Sequence, residues 1–559
     1  MMSSARSKAR AGHGAGSTLS PRDLAPAGDL AGELTSAERR RLAPYVTATT
    51  GPVFALTNLP ETVKGALFAR YSRSPKSLRR LLVDEFMTGS GEITASAGPG
   101  QAQAEALYQR VLADYGDDSV AQLGGAHLAV EGASNVLTKI LQWGRLASYL
   151  EQSTRYIAYT DRPGGHWRYY TPPDVDADPE LGPAYRGTLD RAFAAYAELL
   201  PILVDYWDAR VPADDAPASA RGRAVRARAL DSLRGMLPAA TRSNVGIFAS
   251  GQAFEALLVR LIAHPLPEAR EAGDRMLTQL RAVIPAFLTR VDRPDRGLRH
   301  AQYLRAGEDA TAALARELLG PTPARPRASE VRLLEWDSDG EARVAAHALW
   351  AASGRGYDEV RAAVANMTPD ALARVLATYA GDRADRREKP GRALEAATYT
   401  FEVVCDYGAY RDLQRHRMLS LQAQPLGVAL GWALPAEVAE AGCDEAYAQV
   451  MSESAELCAR LADRLPLAGQ YAVSLAHRIR FVMVMNAREA MHLIELRSQP
   501  QGHVTYREVA QQMHQRIREI GHTAIADMMR FVDHSMPTAG RIAAERRLEQ
   551  RRTGARDAR

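Results

Sequence analysis

The feature that most constrains this chain is an internal echo. Residues Trp143 to Tyr156 read WGRLASYLEQSTRY, and Arg415 to Gln424 read RHRMLSLQAQ. Placing Arg145 on Arg417, 272 positions on, also places Ser148 on Ser420 and Gln152 on Gln424. A second pair of segments agrees: FEALLVRL (Phe254 to Leu261) resembles REAMHLIELR (Arg488 to Arg497), with Arg260 on Arg497 at a spacing of 237. Self-similarity at two landmarks predicts two diverged copies of one module, with the polar site residues divided between them. Because the spacing shrinks, the first copy carries roughly 35 extra residues. They are placed in the Pro- and Asp-rich stretches Arg162 to Pro183 and Val211 to Pro217, read as a loop or lid.

A chain of 559 residues suits two or three domains, and its 46% apolar share lets each half bury a core. The expected organisation is a disordered tail over 1–40, repeat one over 41–320, a linker over 321–330, repeat two over 331–536 and a charged tail over 537–559. Periodicity predicts helices over 61–86, 101–115, 119–149, 341–352, 370–380, 437–465, 479–496 and 506–531. Strands are expected at VRLLEW (331–336) and ATYTFEVV (397–404). The fold class is α+β, mostly helical, with a small antiparallel sheet and long helices in each copy.

Composition excludes several classes. A net charge of +4 makes no general case for nucleic acid or an acidic membrane, and no apolar run approaches a membrane span. Only five of the 70 basic residues are lysines, a bias that discounts any single arginine motif. Cys405, Cys443 and Cys458 lack CxxC spacing, which argues against a zinc site and suits a reducing cytoplasm. The late histidines His503, His514, His522 and His534 lack metal-ligand spacing, and no metal is expected. There is no G-x-G-x-x-G and no Walker loop.

Three segments could carry chemistry. Glu151 to Arg155 offers backbone N–H groups, two hydroxyls and a guanidinium, which suit a phosphate and a sugar; a helix end trailing into solvent is the alternative. Arg415, His416 and Arg417 pack three donors into one turn, either an anion or ring contact or a solvated charge run. On a helix over 485–497, Asn486, Arg488, His492 and Arg497 form a polar stripe that needs a partner: a ligand, or Glu489 and Glu495.

RHRMLS, EQSTRY and NAREAMHLIELR together resemble the signatures of the flavin-dependent thymidylate synthases, here split between the copies. Trp143 and Gly144 replace the Arg and His of the motif in copy one; Ala423, Pro425 and Gly427 replace its Glu, Ser and Arg in copy two. The resemblance implies transfer of the methylene of methylenetetrahydrofolate to C5 of dUMP, with FAD carrying a hydride supplied by NADPH. It implies substrate-binding roles for Glu151, Gln152, Ser153, Arg155, Arg234 and Arg260, with Arg497, Ser153 and Arg260 closest to the chemistry. Gln470 stands at the place of Arg234 in copy two. Ser72, Ser119, Glu395, Arg415, His416, Arg417, Asn486, Arg488 and His492 match flavin contacts. It further implies a homodimer acting as a pseudo-tetramer. Two other readings stay open: a related enzyme on another pyrimidine, and a non-catalytic nucleotide- or flavin-binding paralogue.

Overall fold

The computed structural model describes residues 34–51, 54–71, 76–87, 122–155, 157–211, 218–320 and 325–535. Ser72, Ser119, most of the expected tails and the expected 101–115 helix lie outside the described residues. The chain divides into two compact units. One comprises Met1–Ala126, Ser250–Glu255 and Leu277–Arg290; the other comprises His127–Ala249, Ala256–Met276 and Val291–Arg559.

In the smaller unit, Thr35 and Glu38 form a reciprocal capping box that starts the helix Ser36–Leu42. Arg79 is buried and donates to the carbonyls of Ala48, Thr50 and Gly51, so its charge is spread over backbone dipoles. The helical pattern expected over 61–86 is interrupted: Glu61–Tyr71 and Leu78–Leu81 are α-helical, and Leu82–Phe86 is a π turn.

The larger unit is mostly helical around two small sheets. Its strands are β1 (Gly125–Ser134, which begins in the smaller unit), β2 (Ala147–Glu151), β3 (Arg242–Ser250), β4 (Glu330–Trp336), β5 (Thr398–Asp406), β6 (Ser420–Ala423) and β7 (Arg478–Asn486). One sheet runs β1-β3-β2 and the other β4-β5-β7-β6, so the three later strands β5-β7-β6 repeat the order of the earlier sheet. β2 lies antiparallel to β3, with Glu151 opposite Val245. β5 and β6 flank β7, both antiparallel.

Each sheet hands its chain to a short helix through a capping side chain. Ser134 Oγ accepts from Leu137 N at the start of Asn135–Leu141, and Asp406 Oδ1 accepts from Ala409 N at the start of Tyr407–Leu413. Asn486 does the same for Ala487–Arg497, accepting from Glu489 N at 3.0 Å.

Two helix expectations give way to strands. Among the described residues of the helix expected over 119–149, only Asn135–Leu141 is α-helical, flanked by β1 and β2. The helix expected over 479–496 begins as β7, where Ile479, Phe481, Met483 and Met485 are buried and alternate with more open residues. Short apolar runs fit both periods, and sheet pairing decides between them. The helices expected over 437–465 and 506–531 are each broken at a glycine with positive φ, Gly442 (φ 70) and Gly521 (φ 92). The Pro- and Asp-rich stretch at 162–183 runs into the 30-residue helix Leu181–Arg210, which packs on Asp444–Arg464. Arg191 pairs with Glu453 at 2.7 Å and Arg464 with Glu180 at 3.1 Å, so this region is docked structure rather than a lid.

Segments 235–240 and 471–476 bind each other through backbone. Ala239 N donates to Val473 O (2.7 Å), Ala240 N to Tyr471 O (3.0 Å), Leu475 N to Leu237 O (2.9 Å) and Ala476 N to Gly235 O (2.9 Å). The contact is reciprocal, as in a two-fold interface.

Candidate active site

β2 ends on Glu151, whose side chain is fully buried among donors from both halves of the chain. Lys139 Nζ (2.9 Å), Gln142 Nε2 (2.9 Å), Arg411 Nη2 (2.6 Å) and Arg415 Nη2 (3.2 Å) all donate to it. Burial by itself would raise the pKa of Glu151, but the charges of Lys139, Arg411 and Arg415 outweigh it and hold the carboxyl well below its usual range. Burial lowers Lys139 from its ordinary 10.5 to about 8, against the pull of Glu151.

One turn away, Asp412 gathers arginines from both halves. Arg234 Nη1 lies 3.6 Å from it, and Arg415 Nη1 and Arg497 Nη1 each lie 3.8 Å from it. Arg155 joins this group electrostatically while forking onto Asp231 (2.7 and 3.0 Å) and donating to Tyr506 Oη (3.1 Å) and Gln501 O (2.8 Å). Burial opposes ionisation of Asp412, yet Arg415, Arg497, Arg234 and Arg155 keep it ionised far below the ordinary carboxylate range. Six cations (Lys139, Arg155, Arg234, Arg411, Arg415, Arg497) face four carboxylates (Glu151, Asp231, Asp406, Asp412). Arg234 is 4% exposed, and its Nη2 has no hydrogen-bond partner. A buried guanidinium N–H without an acceptor is costly, and an anionic ligand would satisfy it.

Arg497 also anchors His416. Its Nε donates to His416 Nε2 (3.0 Å), so the imidazole proton sits on Nδ1, 3.0 Å from Glu489 Oε1. Burial, reinforced by Arg497, pushes the His416 pKa well below its usual value and keeps the ring neutral. His492 lies tilted against it, ring centres 5.2 Å apart, and burial lowers its pKa to about 4. His416, Glu489 and His492 have ligand atoms within 4.8 Å of one another. Arg497 already occupies His416 Nε2 and the charge of Lys389 faces the trio, which disfavours a metal ion there.

The remaining predicted residues are dispersed around this centre. Ser153 Oγ accepts from Arg155 N (3.2 Å), and Gln152 N donates to Asn244 O (2.9 Å). Arg417 donates to Ala147 O, while Arg145 Nη2 donates to Ser420 Oγ (3.1 Å), a crossed pair between the two echo segments. Arg488 donates to Pro390 O (3.1 Å) and lies 3.6 Å from Glu395, which itself pairs with Arg392 (3.0 Å). Arg260, the counterpart of Arg497 in the first copy, lies against Gly144 and Tyr149. The structure therefore brings Glu151, Arg155, Arg234, Arg415, His416 and Arg497 together and leaves Arg260 out. Sequence reasoning missed Lys139, Arg411, Asp231, Asp412 and Gln414. The 272-residue spacing held a signal for one pair, since it sets Lys139 on Arg411.

The profile of the family described as "Thymidylate synthase complementing protein" matches residues 66–286 and 333–521. The chain belongs to that family. Within the thymidylate synthase complementing proteins it is 36% identical over 529 residues to a UPF0159 protein of Chlamydia muridarum, covering 92% of this chain and 98% of that one. It is 30% identical over 511 residues to a UPF0159 protein of Thermoplasma acidophilum, covering 86% and 97%. A flavin-dependent thymidylate synthase of a Mycobacterium species is 30% identical over 182 residues, 32% of this chain and 68% of that protein. Among solved structures, the UMP/dUMP methylase PolB from Streptomyces cacaoi bound with 5-Br dUMP aligns with 16% identity and a TM-score of 0.30, covering 37% of this chain and 97% of that one.

Proposed function

We propose that this chain is a duplicated flavin-dependent thymidylate synthase that methylates dUMP at C5, with one composite nucleotide site per chain. The carrying observation is the convergence of Arg155 and Arg234 from the first half with Arg415 and Arg497 from the second around Asp412. The proposed modules are 41–320 and 331–536. The spacings of 272 and 237 define a mirror of this site in which its carboxylates and several of its cations are lost. Ile140 stands for Asp412, Trp143 for Arg415, Gly144 for His416, Ala423 for Glu151 and Gly427 for Arg155. Gln470, at a spacing of 236, stands for Arg234, whereas Arg260 remains opposite Arg497 and Lys139 opposite Arg411.

In the retained site, Arg155 and Arg234 hold the nucleotide phosphate, and Arg497 faces the pyrimidine. Glu151 takes a positioning part, because its oxygens already accept from four protein groups. It fixes Arg415 and the end of β2, from which the Gln152–Arg155 loop departs. Neutral His416 orients Arg497 through Nε2.

A flavin fits the residues beside this centre in part. Gln414 Oε1 is buried without a partner and, with His416 and Arg417, lines a cavity of about 160 Å³. That space admits only a portion of a flavin, which favours completion of the site by a second copy of the chain. Bound there, a flavin would supply the hydride that converts a transferred methylene to methyl, with NADPH and methylenetetrahydrofolate as co-substrates. Arg415, His416, Arg417, Arg488 and His492 would hold it, while Asn486 is committed to capping its helix.

Absorbance of the purified protein tests this reading. A yellow protein whose flavin spectrum shifts on adding dUMP, and which forms dTMP with the folate and NADPH, is expected; a protein that takes up no FAD ends it. A second reading, a different pyrimidine, is favoured by Asp412, a buried acceptor inside the arginine group that suits a base with an additional N–H donor. Flavin binding with no spectral response to dUMP would favour it.

A further inference from the structure

A second basic cavity lies where the chain leaves β6 and passes β7. It encloses about 610 Å³, within the range of small-molecule sites. Four arginines line it: Arg325 and Arg327 on the segment leading to β4, and Arg478 and Arg480 on β7. Arg478 and Arg480 are two apart on one strand, so they share a face. Pro425, Ala429 and Leu430 supply an apolar wall.

These charges are poorly balanced. Among the described residues, Arg325 and Arg327 make no ion pair, and the bond of Arg478 is to Ser329 Oγ at 3.5 Å. Arg480 Nε is buried without a hydrogen-bond partner; its nearest carboxylate, Glu402, is 4.0 Å away and already engaged by Arg332 at 3.2 Å. Burial lowers the pKa of Arg478 against the pull of Asp406, which lies opposite it on β5. Like charges gathered in a concave, partly desolvated space repel unless an anion joins them. Guanidinium groups fork onto phosphate oxygens and stack on flat rings, and the apolar wall offers a place for a ring.

We propose that this cavity binds a phosphorylated nucleotide, as a ligand distinct from the one at the Asp412 arginines. The pairing of two exposed arginines with two on a strand fits at least two anionic groups on one molecule. This site does not depend on the assignment of the first.

The test is calorimetric titration of the full chain with adenosine diphosphate, adenosine and tri-glutamate, alongside dUMP as reporter of the first site. Adenosine diphosphate is expected to bind and adenosine not. Arg478→Ala/Arg480→Ala should weaken it at least tenfold without changing the response to dUMP. Arg325→Ala/Arg327→Ala, at two exposed residues outside any packed element, should weaken it likewise and guards against a folding defect in the strand variant. Unchanged binding in the exposed pair, or loss of binding in Arg234→Ala instead, would overturn the site. Tri-glutamate binding tighter than adenosine diphosphate would overturn the phosphate assignment. Loss of the dUMP response alone would touch only the function proposed for the first site.

Discussion

Lys139 and Arg411 hold the same carboxylate from opposite halves of the chain: Nζ of Lys139 lies 2.9 Å from Glu151 Oε2, and Nη2 of Arg411 lies 2.6 Å from Oε1. They stand 272 positions apart, the spacing of the echo segments themselves. Matched positions thus pinch one acidic residue, and the matched position of that residue is Ala423. A single carboxylate serves two cationic partners where strict symmetry would supply two.

Removing that charge should be expensive. Glu151→Gln leaves Lys139 and Arg411 buried without their nearest counter-ion. Breaking a buried pair by deleting one partner costs about 3–5 kcal/mol. We expect a matching loss of unfolding free energy in urea, whereas Glu395→Gln, whose partner Arg392 is exposed, should cost under about 1 kcal/mol.

Lys139 gives the fold a pH signature. Its folded pKa, about 8, lies below its ordinary 10.5. Between these values the unfolded chain binds the additional proton, so stability rises with pH across that window and is flat in this group below about 8. Lys139→Met should abolish this rise. Urea midpoints of both proteins from pH 7 to 10.5, compared as a difference, isolate the effect from other titrating groups.

Arg234→Ala should weaken both binding and folding. It removes an Nη2 donor that has no protein partner, which costs a phosphate a contact, and the Nη1 charge 3.6 Å from Asp412, which costs the fold part of a buried ion pair. Charged hydrogen bonds contribute about 1.5–3 kcal/mol, which predicts roughly 10- to 100-fold weaker dUMP binding. Arg260→Ala, at the unmatched counterpart of Arg497, should leave that affinity within about twofold. Titration of each variant checks both.

Asp412 competes with an incoming anion for the same arginines. Asp412→Asn should tighten dUMP or inorganic phosphate roughly fivefold at low salt, with the gain shrinking as ionic strength rises. Because its folded pKa is depressed, the stability Asp412 contributes is complete above its unfolded value and is lost as pH falls through the lower folded one. The asparagine variant should therefore be less stable than the wild type at pH 7, and the difference should narrow only in strong acid.

Much of the site was legible in the linear order of residues. EQSTRY, RHR and NAREAMHLIELR are contiguous, so their chemistry and their resemblance to a family survive without coordinates. β4 and β5 were legible too, from alternation in VRLLEW and TYTFEVV. β1 and β7 were not, since HLAV and FVMVM satisfy a helical period as readily as a strand period until a neighbouring strand pairs with them.

The sequence by itself determined that one motif had been divided between two matched segments, because local identity at a fixed spacing is a property of the chain alone. Only the tertiary structure decided which pieces meet: Arg155 and Arg234 with Arg415 and Arg497, and Arg260 with none of them. The reason is physical. Asp412, Lys139 and Arg411 acquire meaning from burial and from charges up to 272 residues away, and no local pattern encodes a field assembled across that distance.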